Sequence, residues 1–136
     1  MRPLLLIVAA FFASGSVTAQ QNLFGLADYS GAELYQRFCS SCHGDEGRGD
    51  GPVSRTLTIP VPDLTQLYRQ YGGRFPADEL RETIDGRNLV IAHGARSMPV
   101  WGYEFWWEDG ADAAAEETAR ATITRLLDYL QSIQDI

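Results

Sequence analysis

Cys39, Cys42 and His43 are the residues of this chain whose types and spacing are best suited to chemistry. At helical spacing they stand at i, i+3 and i+4, so all three side chains project to the same side. A flat ligand lying on that side is then held by three bonds at once. Cys39-Ser40-Ser41-Cys42-His43 is the attachment sequence for haem c. Each thiol adds to one vinyl group of a porphyrin, and the imidazole beneath becomes the proximal ligand of the iron. Two cysteines can instead form a disulfide, or a thioredoxin-like redox pair with a histidine beside it by accident. A redox pair of that kind sits at a strand-to-helix junction in a βαβ pattern, and no stretch of this sequence shows convincing strand alternation.

The elements that must position these residues read as helices joined by long loops. Ser30 and Glu33 have capping-box spacing, which predicts a helix from about Gly31 that reaches the cysteines, with Leu34 and Phe38 on one face. Residues 44–52 contain four glycines and no apolar side chain, and read as a loop. Asp63 is a candidate cap for a short helix whose buried face is Leu64, Leu67, Tyr68 and Tyr71, stopped by Gly72-Gly73. Pro76 is expected to open a third helix at its first position; this helix buries Leu80 and Ile84 and ends at Gly86. Residues 88–107 read as an irregular segment with aromatic anchors, and residues 108–117 as an acidic, solvated turn. A last helix carries the stripe Ala119, Ile123, Leu126, Leu127, Leu130 and Ile133. A core this small and this rich in glycine needs buried apolar surface from something in its middle, which a haem supplies.

The 136 residues have room for one domain. Arg2, the apolar run 4–12 and the small residues Val17 and Ala19 predict a cleaved secretory signal over residues 1–19, the alternative being an uncleaved membrane anchor. The domain is then 20–136, exported to the periplasm, with no stable membrane insertion once the signal is removed. Loss of Arg2 takes the net charge from −7 to −8, and the chain contains no lysine. Nucleic acid is a poor partner for such a surface.

From Ser30 to Ile136 the chain resembles the class I monohaem cytochromes c. Residues 31–44, from Gly31 through Cys39, Cys42 and His43 to Gly44, are similar to the family's N-terminal helix and haem site. Residues 47–52 are similar to the loop that follows, Ser97-Met98-Pro99 to the distal-ligand segment, and residues 126–130 to the C-terminal helix. The resemblance implies an all-α, small cytochrome c fold: N- and C-terminal helices cross, with Gly31 and Tyr35 against Leu126 and Tyr129, and long loops wrap one haem. It implies Met98 as the second axial ligand, a soft neutral donor that raises the reduction potential. A lone methionine is more often a core residue, and His93, five residues earlier, is the rival ligand. Pro52 is implied as the residue whose carbonyl accepts the Nδ1–H of His43, the alternative being a simple turn proline. Trp101, Phe105, Trp106 and Trp107 are expected to pack in the core or on the haem, and Arg48, Arg55 or Arg87 to pair with its propionates.

The activity expected is electron transfer, with no catalytic residue. Two axial ligands leave iron no open position for a substrate. The alternatives are a subunit of a periplasmic dehydrogenase or oxidase complex, and a haem enzyme or sensor whose distal ligand leaves. Redox partner proteins are expected, with a basic docking face opposite this acidic surface.

Overall fold

The computed structural model of the chain describes residues 25–87 and 98–135. The expected signal segment 1–19 and His93 lie outside the described residues. Six α-helices and no strand occur among the described residues: α1 (Gly31–Phe38), α2 (Ser40–His43), α3 (Leu67–Gln70), α4 (Ala77–Asp85), α5 (Trp101–Glu108) and α6 (Ala113–Ser132). The fold is all-α, as expected.

α1 starts where its capping box places it. Ser30 Oγ accepts from the Glu33 amide at 3.3 Å, and the Glu33 carboxylate accepts from the Ser30 amide at 2.8 Å. Both bonds satisfy amides that a helix start would leave unpaired. Its inner face, Leu34 and Tyr35, is fully buried against α6, whose Ile123, Leu126, Leu127 and Leu130 complete the core. The two helices cross at Gly31, where a Cβ would run into the main-chain carbonyl of Arg125. Tyr35 fills the space beside this crossing, its ring centroid 5.1 Å from that of Tyr129 and its hydroxyl donating to Gly44 O at 2.6 Å.

α1 and α2 are separated at Cys39 by one irregular residue (φ −116°, ψ −36°), rather than forming the unbroken helix expected. The hydrogen bonds Cys39 N to Tyr35 O (2.8 Å) and His43 N to Cys39 O (2.9 Å) carry helical spacing across the break. Asp63 caps the 3-10 turn Leu64–Gln66 that leads into α3, accepting from Thr65 N at 2.9 Å. Tyr71 lies past the end of α3 and is 44% exposed rather than buried. Pro76 stands one residue earlier than expected, as the cap of α4, and Gly86 ends that helix in the left-handed conformation (φ 70°).

The largest departure concerns α5, a helix where an irregular segment was expected. Its sequence is apolar or aromatic on most positions, so no stripe of period 3.6 stands out, and Gly102 and the aromatics are weak helix formers. Tertiary packing supports it: Phe105 is fully buried, and its ring lies 5.2 Å from Phe38 and 5.8 Å from Trp101. α6 also begins earlier than expected. Asp112 accepts from Ala115 N at 2.9 Å, so residues 113–117 belong to the start of a helix, while residues 109–112 form the surface turn expected. Acidic side chains suit that position, since they face the positive end of the helix dipole. No helix among the described residues is long and apolar enough to cross a membrane.

Candidate haem site

The break at Cys39 leaves Cys39, Cys42 and His43 on one side of the chain, as helical spacing predicts, and all three line one cavity of about 240 Å³. Phe38 and Trp101 wall it, and Met98 and Pro99 face into it. A second cavity of about 250 Å³ reaches toward Leu67, Ile84 and Leu126. Cys39, His43, Pro62, Thr83 and Met98 line both, so the two adjoin as one slot. The imidazole and the thioether, the two donors suited to iron, stand on the shared boundary.

The loop after α2 explains how the slot is shaped. Gly49 N donates to His43 O (2.8 Å), Gly51 N to Cys42 O (3.2 Å) and Val53 N to Ser41 O (2.9 Å). Residues 49–53 therefore run back along the α2 backbone and leave Pro52 exposed to solvent. The chain turns at the 3-10 turn Ser54–Thr56 and returns past the imidazole. Here the implied role of Pro52 is corrected: the carbonyl facing His43 Nδ1 is that of Pro62, at 3.4 Å. Gly49 permits this return. It is left-handed (φ +77°), and a Cβ there would strike Val61 O and come within 3.2 Å of the Pro62 carbonyl. A carbonyl can only accept, so this contact puts the proton on Nδ1 and leaves Nε2 with a free lone pair.

Burial lowers the His43 imidazole below its usual pKa, partly offset by the Pro62 carbonyl, and so keeps it neutral near pH 7. Burial first, and the neighbouring Cys42 second, push the Cys39 thiol up to about 12. Cys39 and Cys42 form no disulfide with each other. A Cys39 thiol protonated at neutral pH is a poor nucleophile for disulfide exchange, which argues against the redox-pair alternative. No group of three or more His, Cys, Asp or Glu among the described residues is arranged to hold a bare metal ion. An apolar slot with two thiols on one wall and a neutral imidazole under it fits a planar, apolar group that brings its own metal.

Of the arginines considered for propionates, two are engaged elsewhere. Arg48 pairs with Glu46 (3.1 Å) and Asp135 (3.5 Å), and Arg87 with Asp85 (2.8 Å) and Glu116 (2.7 Å). Trp101 packs on Phe38 beside the slot and Trp106 is partly buried, but Trp107 is 63% exposed and corrects the expectation of packing there. Pro62 and α5 are the features that sequence reasoning missed. The sequence signal, a proline carbonyl free to accept from His43, is present in Pro60 and Pro62 as well as in Pro52.

An all-α chain whose first and last helices cross beside a slot of this kind defines a haem-binding electron-transfer domain. Residues 27–116 match the family model described as cytochrome c oxidase, cbb3-type, subunit III, and the chain belongs to this family of cytochromes c. Covalently bound haem c comes with that membership, and with it electron transfer. No curated protein and no solved structure matches the chain.

Proposed function

We propose that this chain is a periplasmic electron carrier with one haem c, joined to Cys39 and Cys42 and ligated by His43 Nε2 and Met98 Sδ. The observation that carries the reading is the convergence of all four side chains on one apolar slot. When bound, the haem supplies a one-electron iron centre. The chain's own residues hold and tune that centre. The Pro62 carbonyl keeps the Nδ1 proton of His43 and orients the ring. Phe38 and Trp101 exclude water from one side, which favours the less charged, reduced state and raises the potential. With His43 and Met98 both holding it, the haem would exchange electrons with a redox partner protein rather than bind a substrate. The acidic balance of the chain favours a partner with a basic face.

A second reading has specific support. The matching family model is described as an oxidase subunit, which favours an electron-transfer subunit held in a larger complex over a freely diffusing shuttle. Copurification from periplasmic and membrane extracts separates the two. A ferrous spectrum unaltered by carbon monoxide disposes of the third possibility, a sensor or enzyme with a displaceable ligand. The attachment itself is tested by replacing Cys39 and Cys42 together with alanine. The variant is expected to lose all peroxidase-stainable haem on a denaturing gel and to be largely unfolded; retained stain sinks the assignment.

A further inference from the structure

Gln134 and Asp135 stand just past the end of α6 and do not line the slot, yet they bind the stretch of chain that follows Pro62. Both ends of the Gln134 amide are engaged: Nε2 donates to Leu64 O and to Leu130 O at 2.7 Å each, and Oε1 accepts from Tyr68 N at 2.9 Å. One side chain thus ties α6 to both ends of residues 64–68. Asp135 adds two bonds between those ends: its amide donates to Thr65 O at 2.9 Å, and its carboxylate accepts from Gln66 Nε2 at 2.7 Å. Thr65 is buried, and its hydroxyl donates to Asp63 at 2.6 Å. Polar groups held this far from water keep their partners, because an unpaired one has lost its hydration for nothing in return.

The other side of the same stretch faces the slot. Leu64 and Leu67 are buried and line its second cavity, and Pro62, two residues before Leu64, presents its carbonyl to His43 Nδ1. Leu64 N donates to Gly47 O at 2.7 Å, so the stretch is fixed between the loop after α2 on one side and Gln134 and Asp135 on the other. At 3.4 Å the Pro62 contact is longer than an ordinary hydrogen bond, and a small displacement of the stretch decides whether it is made.

We propose that Gln134, with Asp135 beside it, positions the Pro62 carbonyl on His43 and thereby sets the reduction potential of the haem. The proposal rests on His43 being the proximal ligand. Donation from Nδ1 to a carbonyl makes the ring a stronger donor through Nε2, which stabilises ferric iron over ferrous. Loosening the carbonyl weakens that donation and raises the potential. Water entering the slot acts in the opposite direction, because polar surroundings favour the more charged state. Gln134 and Asp135 are positioning residues and touch neither the iron ligands nor the cysteines.

Gln134→Met removes all three side-chain bonds but keeps the length of the side chain and the charge of the protein, so Leu64 and Leu67 stay covered. Two readings are taken on the holoprotein: solvent exchange of the His43 Nδ1–H by NMR in the ferrous state, and the reduction potential. Exchange is expected to quicken about tenfold as the contact opens more often. The ferrous-to-ferric ratio at a fixed potential should rise about threefold, equivalent to ~28 mV for one electron. Gln66→Met cuts the tie to Asp135 from the other side, again without changing charge. It should move both readings the same way, and it serves if Gln134→Met does not fold. Ser132→Ala is the control: it loses a bond to Tyr129 O (2.7 Å) at the end of α6 and none to residues 64–68, so both readings should match the wild type. Wild-type protein whose His43 ring protons lack the large shifts imposed by a bound haem would overturn the ligand assignment, and the positioning role with it. With those shifts present, unchanged exchange and potential in both methionine variants overturn the positioning role alone. So does a potential that falls, since water entry would then govern it. Loss of the near-infrared band of methionine-ligated ferric haem in Gln134→Met has the same consequence, because the shift would then belong to Met98. A Ser132→Ala effect as large as that of Gln134→Met also overturns it, by making the effect one of general stability.

Discussion

Replacing Gly31 with alanine adds one methyl group at the crossing of α1 and α6, and two effects of opposite sign compete. Alanine is the better helix former by up to about 1 kcal/mol in a helix interior, chiefly because it narrows the unfolded ensemble. Against this, the new Cβ would overlap the Arg125 carbonyl oxygen and stand 2.9 Å from its carbon and 3.0 Å from Tyr129 Cβ. The first two contacts are main chain in the middle of a 20-residue helix, which no rotamer change relieves. Relief means moving α1 off α6, and Leu34, Tyr35 and the Tyr35–Tyr129 contact move with it. Overpacking of a tight core costs about 1–3 kcal/mol, and the main-chain contact places this site at the upper end. The net expectation is a loss of about 1–2 kcal/mol for Gly31→Ala, and more for Gly31→Val. Guanidinium titration of the ferric holoprotein, followed by tryptophan emission, should show a lower midpoint at an unchanged slope. Gly72→Ala separates sterics from backbone strain, because Gly72 is left-handed (φ +67°) with nothing within 4 Å of its Cβ position. Its loss should come from strain alone, at about 1–2 kcal/mol. If Gly31→Ala is as stable as the wild type, the close crossing is not a constraint and the argument fails.

Met98→Ala should abolish the near-infrared band and lower the reduction potential, whereas His93→Ala should leave both in place; the reverse pattern would make His93 the ligand. The Arg87 guanidinium holds the Asp85 carboxyl below its usual pKa. The folded state therefore binds that proton less readily than the unfolded chain does, and the associated stability is present above about pH 4 and lost as pH falls further. Urea midpoints measured from pH 5 to pH 3 should accordingly fall less steeply in Asp85→Asn than in the wild type; parallel curves would mean the pair contributes nothing. The second-order rate of electron transfer to the native partner should decline as salt is added, and neutralising acidic residues near the haem edge should slow it at low salt. A rate flat in salt points instead to an apolar contact at the haem edge.

The parts of this protein legible in the sequence are those governed by neighbours in the chain. The capping box at Ser30 and Glu33, the stripe of α6, the stop at Gly86 and the one-sided presentation of Cys39, Cys42 and His43 all depend on spacings of three or four residues. Such spacings act through local hydrogen bonds and helical periodicity, and need no knowledge of the rest of the fold. Where α5 forms and which proline faces His43 were decided by contacts distant in sequence. α5 is a helix because Phe105 and Trp101 pack on Phe38, more than sixty residues earlier, and its own residues carry no clear period. Pro52 and Pro62 are equally able to offer a carbonyl, but residues 49–53 pair with the back of α2 and carry Pro52 to the surface, while Gly49 admits the returning chain and brings Pro62 to the imidazole. The position of Arg87 against both α6 and Gly102 is of the same kind: a side chain's partners follow from where the helices come to rest, and a one-dimensional pattern does not contain that distance.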